Sequence, residues 1–179
     1  MNHDIKEILI SQEALDARVR ELGQEISEKY KGKELLMIGV LKGANVFMSD
    51  LMRAVSVPIQ IDFIAASSYG SSTESSGVVR IVKDLDYSIE GKHVMIVEDI
   101  IDTGLTLKYL YDNFSARGPA SLSIISLLDK PERRKADIKV DYTGFVIPDE
   151  FIVGYGIDYA EKYRNLPFVA TLKPEVYSK

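Results

Sequence analysis

The chain has no cysteine among its 179 residues, and no long apolar run. Without cysteine, neither a disulfide framework nor a thiolate metal site can form. No apolar stretch approaches the ~20 residues that span a bilayer. The first residues also lack the basic and then apolar layout of a signal peptide. We therefore expect a cytoplasmic protein with no membrane partner.

Positive charge is also scarce, with 22 Lys and Arg residues against 27 Asp and Glu residues, a net charge of −5. Nonspecific binding to nucleic acid depends on clustered Lys and Arg side chains, so we expect no nucleic-acid partner. A small anionic ligand remains compatible with this charge, because backbone amides and a metal bridge to carboxylates can hold it. Histidine is rare too, and we assign neither His3 nor His93 a catalytic role.

The composition is otherwise that of a globular protein, with 46% apolar and 27% charged residues. The length is that of one domain, and no repeat, low-complexity tract or linker divides the chain. We therefore predict a single domain over residues 1–179.

The apolar pattern alternates between helical and strand periodicity. A helix is predicted over residues 11–31, with Ser11 as N-cap and Gly32 as C-cap. The nearly continuous apolar run 35–41 predicts a parallel strand buried on both faces. Further elements are predicted as a helix beginning near residue 43, strands at 57–64, 78–82 and 93–97, a helix at 103–114 and a strand at 122–128. Strands separated by helices predict an α/β fold with a mainly parallel sheet.

The segment 94–107 carries the most specific chemistry, because a buried strand there turns tightly into a helix. In open α/β sheets, ligands bind beyond the carboxyl ends of the strands. The new helix offers free N–H groups, Gly104 allows close approach of the backbone, and Thr103 and Thr106 add hydroxyl donors. This combination predicts a cradle for a monophosphate.

Two acids, Glu98 and Asp99, stand just before this cradle. They would repel a phosphate, but they suit ribose hydroxyls and Mg²⁺, which carboxylates bind directly or through water. A ligand with a 5′-phosphate, free hydroxyls and a metal-bound polyphosphate satisfies both parts of the segment.

Residues 97–106 resemble the phosphoribosyl-pyrophosphate signature of the type I phosphoribosyltransferases, and most closely that of the hypoxanthine-guanine branch. The similarity extends over most of the chain, from residues 41–44 to residues 155–159 and 163–164. It implies the type I phosphoribosyltransferase fold, a mainly parallel sheet flanked by helices with a small hood. The hood should draw on the C-terminal segment, with the N-terminal segment as a second candidate.

The resemblance also implies an activity in purine salvage. The 5-phosphoribosyl group of phosphoribosyl pyrophosphate would pass to N9 of hypoxanthine or guanine, giving IMP or GMP and pyrophosphate, with Mg²⁺ as cofactor. The partners would be phosphoribosyl pyrophosphate and a 6-oxopurine base, in a homodimer or homotetramer.

The resemblance further implies a role for each residue that matches the family pattern. The phosphoribosyl group would be bound by Glu98, Asp99, Thr103, Gly104, Leu105 and Thr106. Pyrophosphate would be bound by Lys42, Gly43 and Arg164. In relatives the peptide that corresponds to Lys42–Gly43 can be cis. The purine would be bound by Lys130, Phe151, Ile152 and Asp158, and Mg²⁺ by Glu98, Asp99 and Asp158. The polar stretch 66–77 would be a mobile lid that contains the matching dipeptide Ser68–Tyr69.

Asp102 matches the proposed general base of the family, which takes or holds the proton at purine N7. Its position equally fits an N-cap of the following helix, and both roles are compatible. Two departures from relatives stand nearby: Leu105 replaces a Lys that some relatives carry, and Glu150 stands where relatives can carry Lys. Two alternatives stay open, a xanthine-preferring phosphoribosyltransferase and a non-catalytic RNA-binding regulator on the same fold.

Overall fold

The computed structural model describes residues 2–68 and 79–178. Strands and helices alternate along most of the chain. In order they are β1 (Ile5–Ile10), α1 (Gln12–Lys29), β2 (Leu35–Leu41), α2 (Asn45–Ala54), β3 (Ile59–Ser68), β4 (Val79–Lys83), β5 (His93–Ile101), α3 (Leu105–Ser115), β6 (Ser121–Asp129), β7 (Tyr142–Val146), β8 (Ile152–Val153), β9 (Val169–Leu172) and α4 (Pro174–Tyr177).

Six strands form the central sheet in the order β4-β3-β2-β5-β6-β7. Every neighbouring pair is parallel except β3 with β4, which is antiparallel. Apolar clusters pack against the sheet, and β2 is buried along almost its whole length, as its apolar run predicts. The predicted α/β fold with a mainly parallel sheet is confirmed.

Helix α1 follows from its sequence pattern. The Ser11 hydroxyl accepts a hydrogen bond from the N–H of Ala14, which satisfies one of the free donors at the helix start. Leu15, Leu22 and other residues at helical spacing are buried against the core. The helix ends at Lys29 and its C-cap is Tyr30, so the predicted C-cap at Gly32 was wrong. Gly32, with a φ of 73°, lies two positions beyond that cap.

A second sheet has three antiparallel strands in the order β1-β9-β8, and we call β1 together with residues 150–178 the hood. Ile5 pairs with Leu172, so the hood draws on both the N-terminal and the C-terminal segments of the chain. Phe151, Ile152 and Asp158 of the hood line one cavity with Ile100 and Asp102 at the carboxyl end of β5. Within residues 2–68 and 79–178, no helix has the length and apolar character needed to cross a membrane.

Several predicted boundaries were wrong. Strand β3 continues to Ser68, so it includes the first three residues of the stretch 66–77 that was predicted as a loop, because Ser68 pairs with Val79 of β4. Residues 69–77 of that stretch lie outside the described residues. Strand β5 continues to Ile101, whose partner is Asp129, so Glu98 and Asp99 lie within the strand and not beyond its end.

The start of α3 also differs from the prediction. The helix begins at Leu105 and its N-cap is Gly104, which has a φ of 79°. The N-cap role considered for Asp102 is therefore wrong, since Asp102 lies two positions before that cap, with Thr103 between them. A left-handed conformation at Gly104 turns the chain sharply, and only glycine adopts it readily.

Candidate active site

Two cavities meet at the carboxyl ends of the central strands. The turn cavity, about 140 Å³, lies at the start of α3 and is lined by Thr103, Gly104 and Thr106 among others. The hood cavity, about 600 Å³, lies between this sheet edge and the hood. Ile100 and Asp102 line both cavities, so these two residues stand at the junction.

The turn cavity is shaped by the backbone of residues 102–106. Thr103 O accepts hydrogen bonds from the N–H groups of Lys135 and Ala136, at 2.9 and 3.0 Å, and these bonds hold the turn. The Thr103 hydroxyl accepts from the N–H of Leu105 at 3.4 Å. The structure thus brings the predicted phosphate residues together, although Leu105 itself is not among the described residues that line the cavity.

The paired acids lie between the turn cavity and the loop after β2. Glu98 lines the turn cavity. The Asp99 carboxylate lies directly against Gly43, where a Cβ atom would overlap its Oδ2 atom. Burial raises the pKa of Glu98 well above its ordinary value, and repulsion from Asp99 adds to this. Burial also raises the pKa of Asp99.

The loop after β2 contacts the hood through charged side chains. Its cis peptide joins Leu41 to Lys42, one bond earlier than the Lys42–Gly43 peptide for which a cis form was considered. The Lys42 ammonium lies 3.0 Å from Oε2 of Glu161, and Arg164 also donates to Glu161. Glu161 was not identified from the sequence, because no local pattern distinguishes it from other surface acids.

Arg164 connects two parts of the hood. One guanidinium nitrogen donates to the carbonyl of Gly156 at 2.8 Å, and another lies 2.9 Å from Oδ1 of Asp158. Its buried Nε has no hydrogen-bond partner among the described residues. Asp158 thus pairs with Arg164, and the described residues contain no group of three or more His, Asp or Glu side chains arranged to hold a metal. The structure does not gather Glu98, Asp99 and Asp158 into one ligand set.

Asp102 faces two arginines that follow β6. Nε of Arg133 lies 2.9 Å from Oδ1 of Asp102, but its N–H does not point at that oxygen. Oδ1 is buried and lacks a hydrogen-bond donor among the described residues. Arg134 instead pairs with Asp129 and donates to the carbonyl of Asp102 at 3.3 Å. The sequence offered no signal for these contacts, since a basic run is usually a solvated surface.

Lys130 is a buried cation at the end of β6, with 6% of its surface exposed. Its backbone N–H donates to the carbonyl of Ile101 at 2.9 Å, which fixes it beside the Asp102 turn. The ammonium donates to the carbonyl of Glu150 at 2.6 Å and lies 3.8 Å from Asp149. Burial lowers the pKa of the Lys130 amine. One donor is engaged in the hydrogen bond, and two N–H groups remain for a ligand in the hood cavity.

The hood contributes an aromatic wall to the hood cavity. Phe151 is 39% exposed, which is unusual for a large apolar ring. Tyr177 stacks on the Phe151 ring, and Tyr159 meets it edge-on. Ile152 is buried in β8, where it pairs with Thr171 of β9. Phe151, Ile152, Asp158 and Lys130 all line the hood cavity, as predicted for residues of one site.

The predicted lid residues are described only in part. Ser68 ends β3 at the sheet edge, while Tyr69 lies outside the described residues.

Comparison with known proteins identifies what this architecture is similar to. The phosphoribosyl transferase domain family matches residues 5–160. The chain is 55% identical over 177 residues to the hypoxanthine-guanine phosphoribosyltransferase of Bacillus subtilis, covering 99% of this chain and 98% of that protein. A crystal structure of a hypoxanthine phosphoribosyltransferase from Staphylococcus aureus matches with a TM-score of 0.98 at 52% identity, covering 100% of this chain and 97% of that one. A hypoxanthine-guanine phosphoribosyltransferase from Bacillus anthracis, solved with HEPES in its active site, matches with a TM-score of 0.91 at 55% identity, covering 94% and 99%.

Proposed function

The chain belongs to the phosphoribosyltransferase family, and from that membership we propose that it is a purine salvage enzyme. It transfers the 5-phosphoribosyl group of phosphoribosyl pyrophosphate to N9 of hypoxanthine or guanine, releasing pyrophosphate and forming IMP or GMP. The activity follows that of relatives named for this reaction, which align over nearly the whole chain at more than 50% identity.

The observation that carries the proposal is the junction of the two cavities at Ile100 and Asp102. A sugar phosphate in the turn cavity would place its 5′-phosphate on the N–H groups at the start of α3. A base in the hood cavity would then meet C1′ of that sugar beside Asp102. Binding both reactants next to one another in this way removes much of the entropic barrier to their reaction.

Asp102 would act on the base at that junction. Its Oδ1 atom accepts no hydrogen bond among the described residues, so it could accept the N7 proton of a 6-oxopurine once Arg133, 2.9 Å away, is displaced. Removing or holding that proton raises the nucleophilicity of N9, and the negative carboxylate stabilises the oxocarbenium-like centre at C1′. The Arg134 side chain donates to the carbonyl of Asp102, and the backbone N–H of Lys130 donates to the carbonyl of Ile101; both bonds hold the turn that presents this carboxylate.

Lys130 and Phe151 would select and orient the base. The buried Lys130 ammonium can donate a hydrogen bond to a 6-oxo group. It cannot pair with the N–H groups of a 6-amino substituent, which disfavours adenine. The half-exposed Phe151 ring would stack on the purine. The backbone of Ile152 would contact the purine edge, following the resemblance to the family.

The acids Glu98 and Asp99 fit a Mg²⁺ complex of phosphoribosyl pyrophosphate. Burial raises both pKa values, so a cation or hydroxyl donors nearby would favour the ionised forms. Mg²⁺ commonly binds through one or two carboxylates together with substrate phosphates and water, and when bound it would neutralise charge on the leaving pyrophosphate. Asp158 would contribute near the base, while Lys42, Gly43 and Arg164 would bind the pyrophosphate itself.

A direct assay tests the proposed function. Purified protein is mixed with phosphoribosyl pyrophosphate and Mg²⁺, and nucleotide formation is followed with hypoxanthine, guanine, xanthine, adenine and orotate, each with and without a chelator. We expect turnover of hypoxanthine and guanine that the chelator abolishes. Turnover of xanthine above both would support the xanthine-preferring alternative. A folded sample inactive with all five bases would favour the RNA-binding regulator.

We further propose that the chain assembles as a homodimer or homotetramer, following its family resemblance, since symmetric homo-oligomers are common among soluble enzymes. Light scattering coupled to size-exclusion chromatography gives the mass directly. A monomer at assay concentration would contradict this.

A further inference from the structure

We propose that Tyr155 is a positioning residue for the pyrophosphate group, acting through its hydrogen bond to Asp50. The inference rests on the proposed function, in which the loop 42–44 binds the leaving pyrophosphate. It concerns how that loop is held in place, and it assigns this role to a hood residue that does not itself face the substrate cavities.

Tyr155 connects the hood to helix α2. Its side chain is 4% exposed, and its hydroxyl donates to Oδ2 of Asp50 at 2.5 Å. Burial raises the pKa of the Tyr155 hydroxyl, and the hydrogen bond to Asp50 raises it further, so the group remains a donor at all working pH values. Asp50 also pairs with Arg53 on the same helix. Because α2 begins at Asn45, this bond fixes the hood to the element that directly follows the loop 42–44.

The residue after Tyr155 lies against that loop. A Cβ atom on Gly156 would overlap the carbonyl oxygen of Gly43, and Gly156 has a φ of 98°. Tyr155 itself has a φ of 51°, an uncommon value for a residue with a side chain, so its surroundings must maintain it. The Asp99 carboxylate also lies against Gly43. Gly43 therefore contacts both Gly156 of the hood and Asp99 of β5.

The same hood turn orients the second pyrophosphate residue. The carbonyl of Gly156 accepts a hydrogen bond from Arg164 at 2.8 Å, and the N–H of Gly156 donates to the carbonyl of Arg164 at 2.9 Å. A shift of Gly156 would therefore move both the Gly43 peptide and the Arg164 guanidinium. Both groups face the same ligand in the proposed function.

The part of the hood that would contact the purine, Phe151 and β8, is held by contacts that do not involve Tyr155. Ile152 pairs with Thr171 and Val153 with Ala170, so β8 remains attached to β9 when the Tyr155 bond is lost. Phe151 keeps its ring contacts with Tyr159 and Tyr177 as well. Loss of the Tyr155 hydroxyl should consequently affect phosphoribosyl pyrophosphate more than the purine.

The test compares two tyrosines of the hood. In Tyr155→Phe we expect KM for phosphoribosyl pyrophosphate to rise about tenfold, as for a loss of about 1.4 kcal/mol of binding energy. The inhibition constant for added pyrophosphate should rise in parallel, while kcat and KM for hypoxanthine stay within about twofold. Tyr163→Phe is the matched control, since Tyr163 is 5% exposed, has a φ of 76° and donates to Asp4 at 2.9 Å. Tyr163→Phe should lower the stability of the protein, but it should raise neither KM for phosphoribosyl pyrophosphate nor the inhibition constant for pyrophosphate.

A second pair of variants approaches the bond from helix α2. Asp50→Ala removes the acceptor from a partly exposed position where alanine favours the helix, so the chain should fold even if Tyr155→Phe does not. It should reproduce the rise in KM for phosphoribosyl pyrophosphate, while Asp50→Asn, which keeps an acceptor, should largely restore the wild-type value. If KM for phosphoribosyl pyrophosphate and KM for hypoxanthine rose equally, or if neither rose in Asp50→Ala, the inference would be overturned. An inactive wild-type protein would instead contradict the proposed function.

Discussion

The ring of Tyr177 stacks on the ring of Phe151, with 4.8 Å between centroids and 19° between planes. That separation leaves no space for a third ring between them, so a purine that stacks on Phe151 while Tyr177 stays in place must use the opposite face of the ring. Tyr177 comes from α4 near the C-terminal end of the chain, whereas Phe151 directly precedes β8. An aromatic from the last turn thus fixes the plane of the proposed base-stacking residue.

Tyr177→Ala should weaken purine binding because the Phe151 ring would lose its support. Aromatic pairs contribute about 0.5–1.5 kcal/mol beyond area burial, so KM for hypoxanthine should rise roughly twofold to tenfold. KM for phosphoribosyl pyrophosphate should be unchanged. Tyr177→Phe retains the stack and serves as the control in the same steady-state assay. An unaltered KM for hypoxanthine in Tyr177→Ala would show that Phe151 needs no such support.

Arg133 should compete with the purine for Asp102. Its guanidinium lies 2.9 Å from Oδ1 of Asp102, the atom proposed to accept the N7 proton, so a bound base must displace it. Partly exposed ion pairs contribute up to about 1 kcal/mol, so Arg133→Gln should lower KM for hypoxanthine by at most about fivefold. Lys108→Gln, which removes a cation paired with Asp112 on α3, controls for the change in net charge. A higher KM in Arg133→Gln would mean that the arginine assists base binding.

Asp102→Asn should keep the fold and lose turnover. The Oδ1 atom accepts no hydrogen bond among the described residues, so the amide should cost the fold no more than the partly exposed ion pair with Arg133. Removing a general base lowers turnover by roughly 10²–10⁴-fold. Thermal unfolding monitored by circular dichroism checks the fold, and single-turnover kinetics check the chemical step. If the variant turns over at nearly the normal rate, Asp102 is not the base.

Gly43→Ala should displace the Asp99 carboxylate, because the new methyl group would overlap Oδ2. A displacement of this kind can lower the rate roughly 10²-fold. Gly23→Ala is a matched control, since its methyl group would lie 2.5 Å from Ala54 at the contact of α1 with α2, away from the site. We expect the control to lower the melting temperature without raising KM for phosphoribosyl pyrophosphate. Equal kinetic defects in both variants would indicate general destabilisation.

The pH dependence of base use should depend on Lys130. Burial lowers the pKa of its amine below the ordinary 10.5, so the cation is lost at lower pH than in an exposed lysine. The ratio kcat/KM for hypoxanthine should then fall as pH rises through that lowered value. Lys130→Gln keeps a donor that does not titrate, and it should be slower but lack this alkaline decline. Dividing kcat/KM of the wild type by kcat/KM of the variant at each pH cancels the effect of ionisation of the base itself. If this quotient did not change with pH, the proposed role of the Lys130 cation would be contradicted.

The turn at residues 102–106 was predictable because its determinants are contiguous. Thr103, Gly104 and Thr106 line one cavity simply by following a buried strand. The end of the preceding strand β5 was not predictable in the same way. It depends on the pairing of β5 with β6, through contacts such as Ile101 with Asp129. That pairing carries Glu98 and Asp99 inside the sheet, where burial raises their pKa values.

The sequence by itself determined the alternation of strands and helices and the tight turn at residues 102–106, because apolar periodicity and local backbone chemistry act between near neighbours. Only the tertiary structure decided which distant residues meet. It set Gly43 against both Asp99 and Gly156, Arg133 beside Asp102, and Tyr177 on Phe151. In the last pair, Phe151 precedes β8 and Tyr177 follows β9, so the pairing of β8 with β9 brings the two rings to the same region. Such contacts depend on the packing of elements far apart in sequence, which no local pattern encodes.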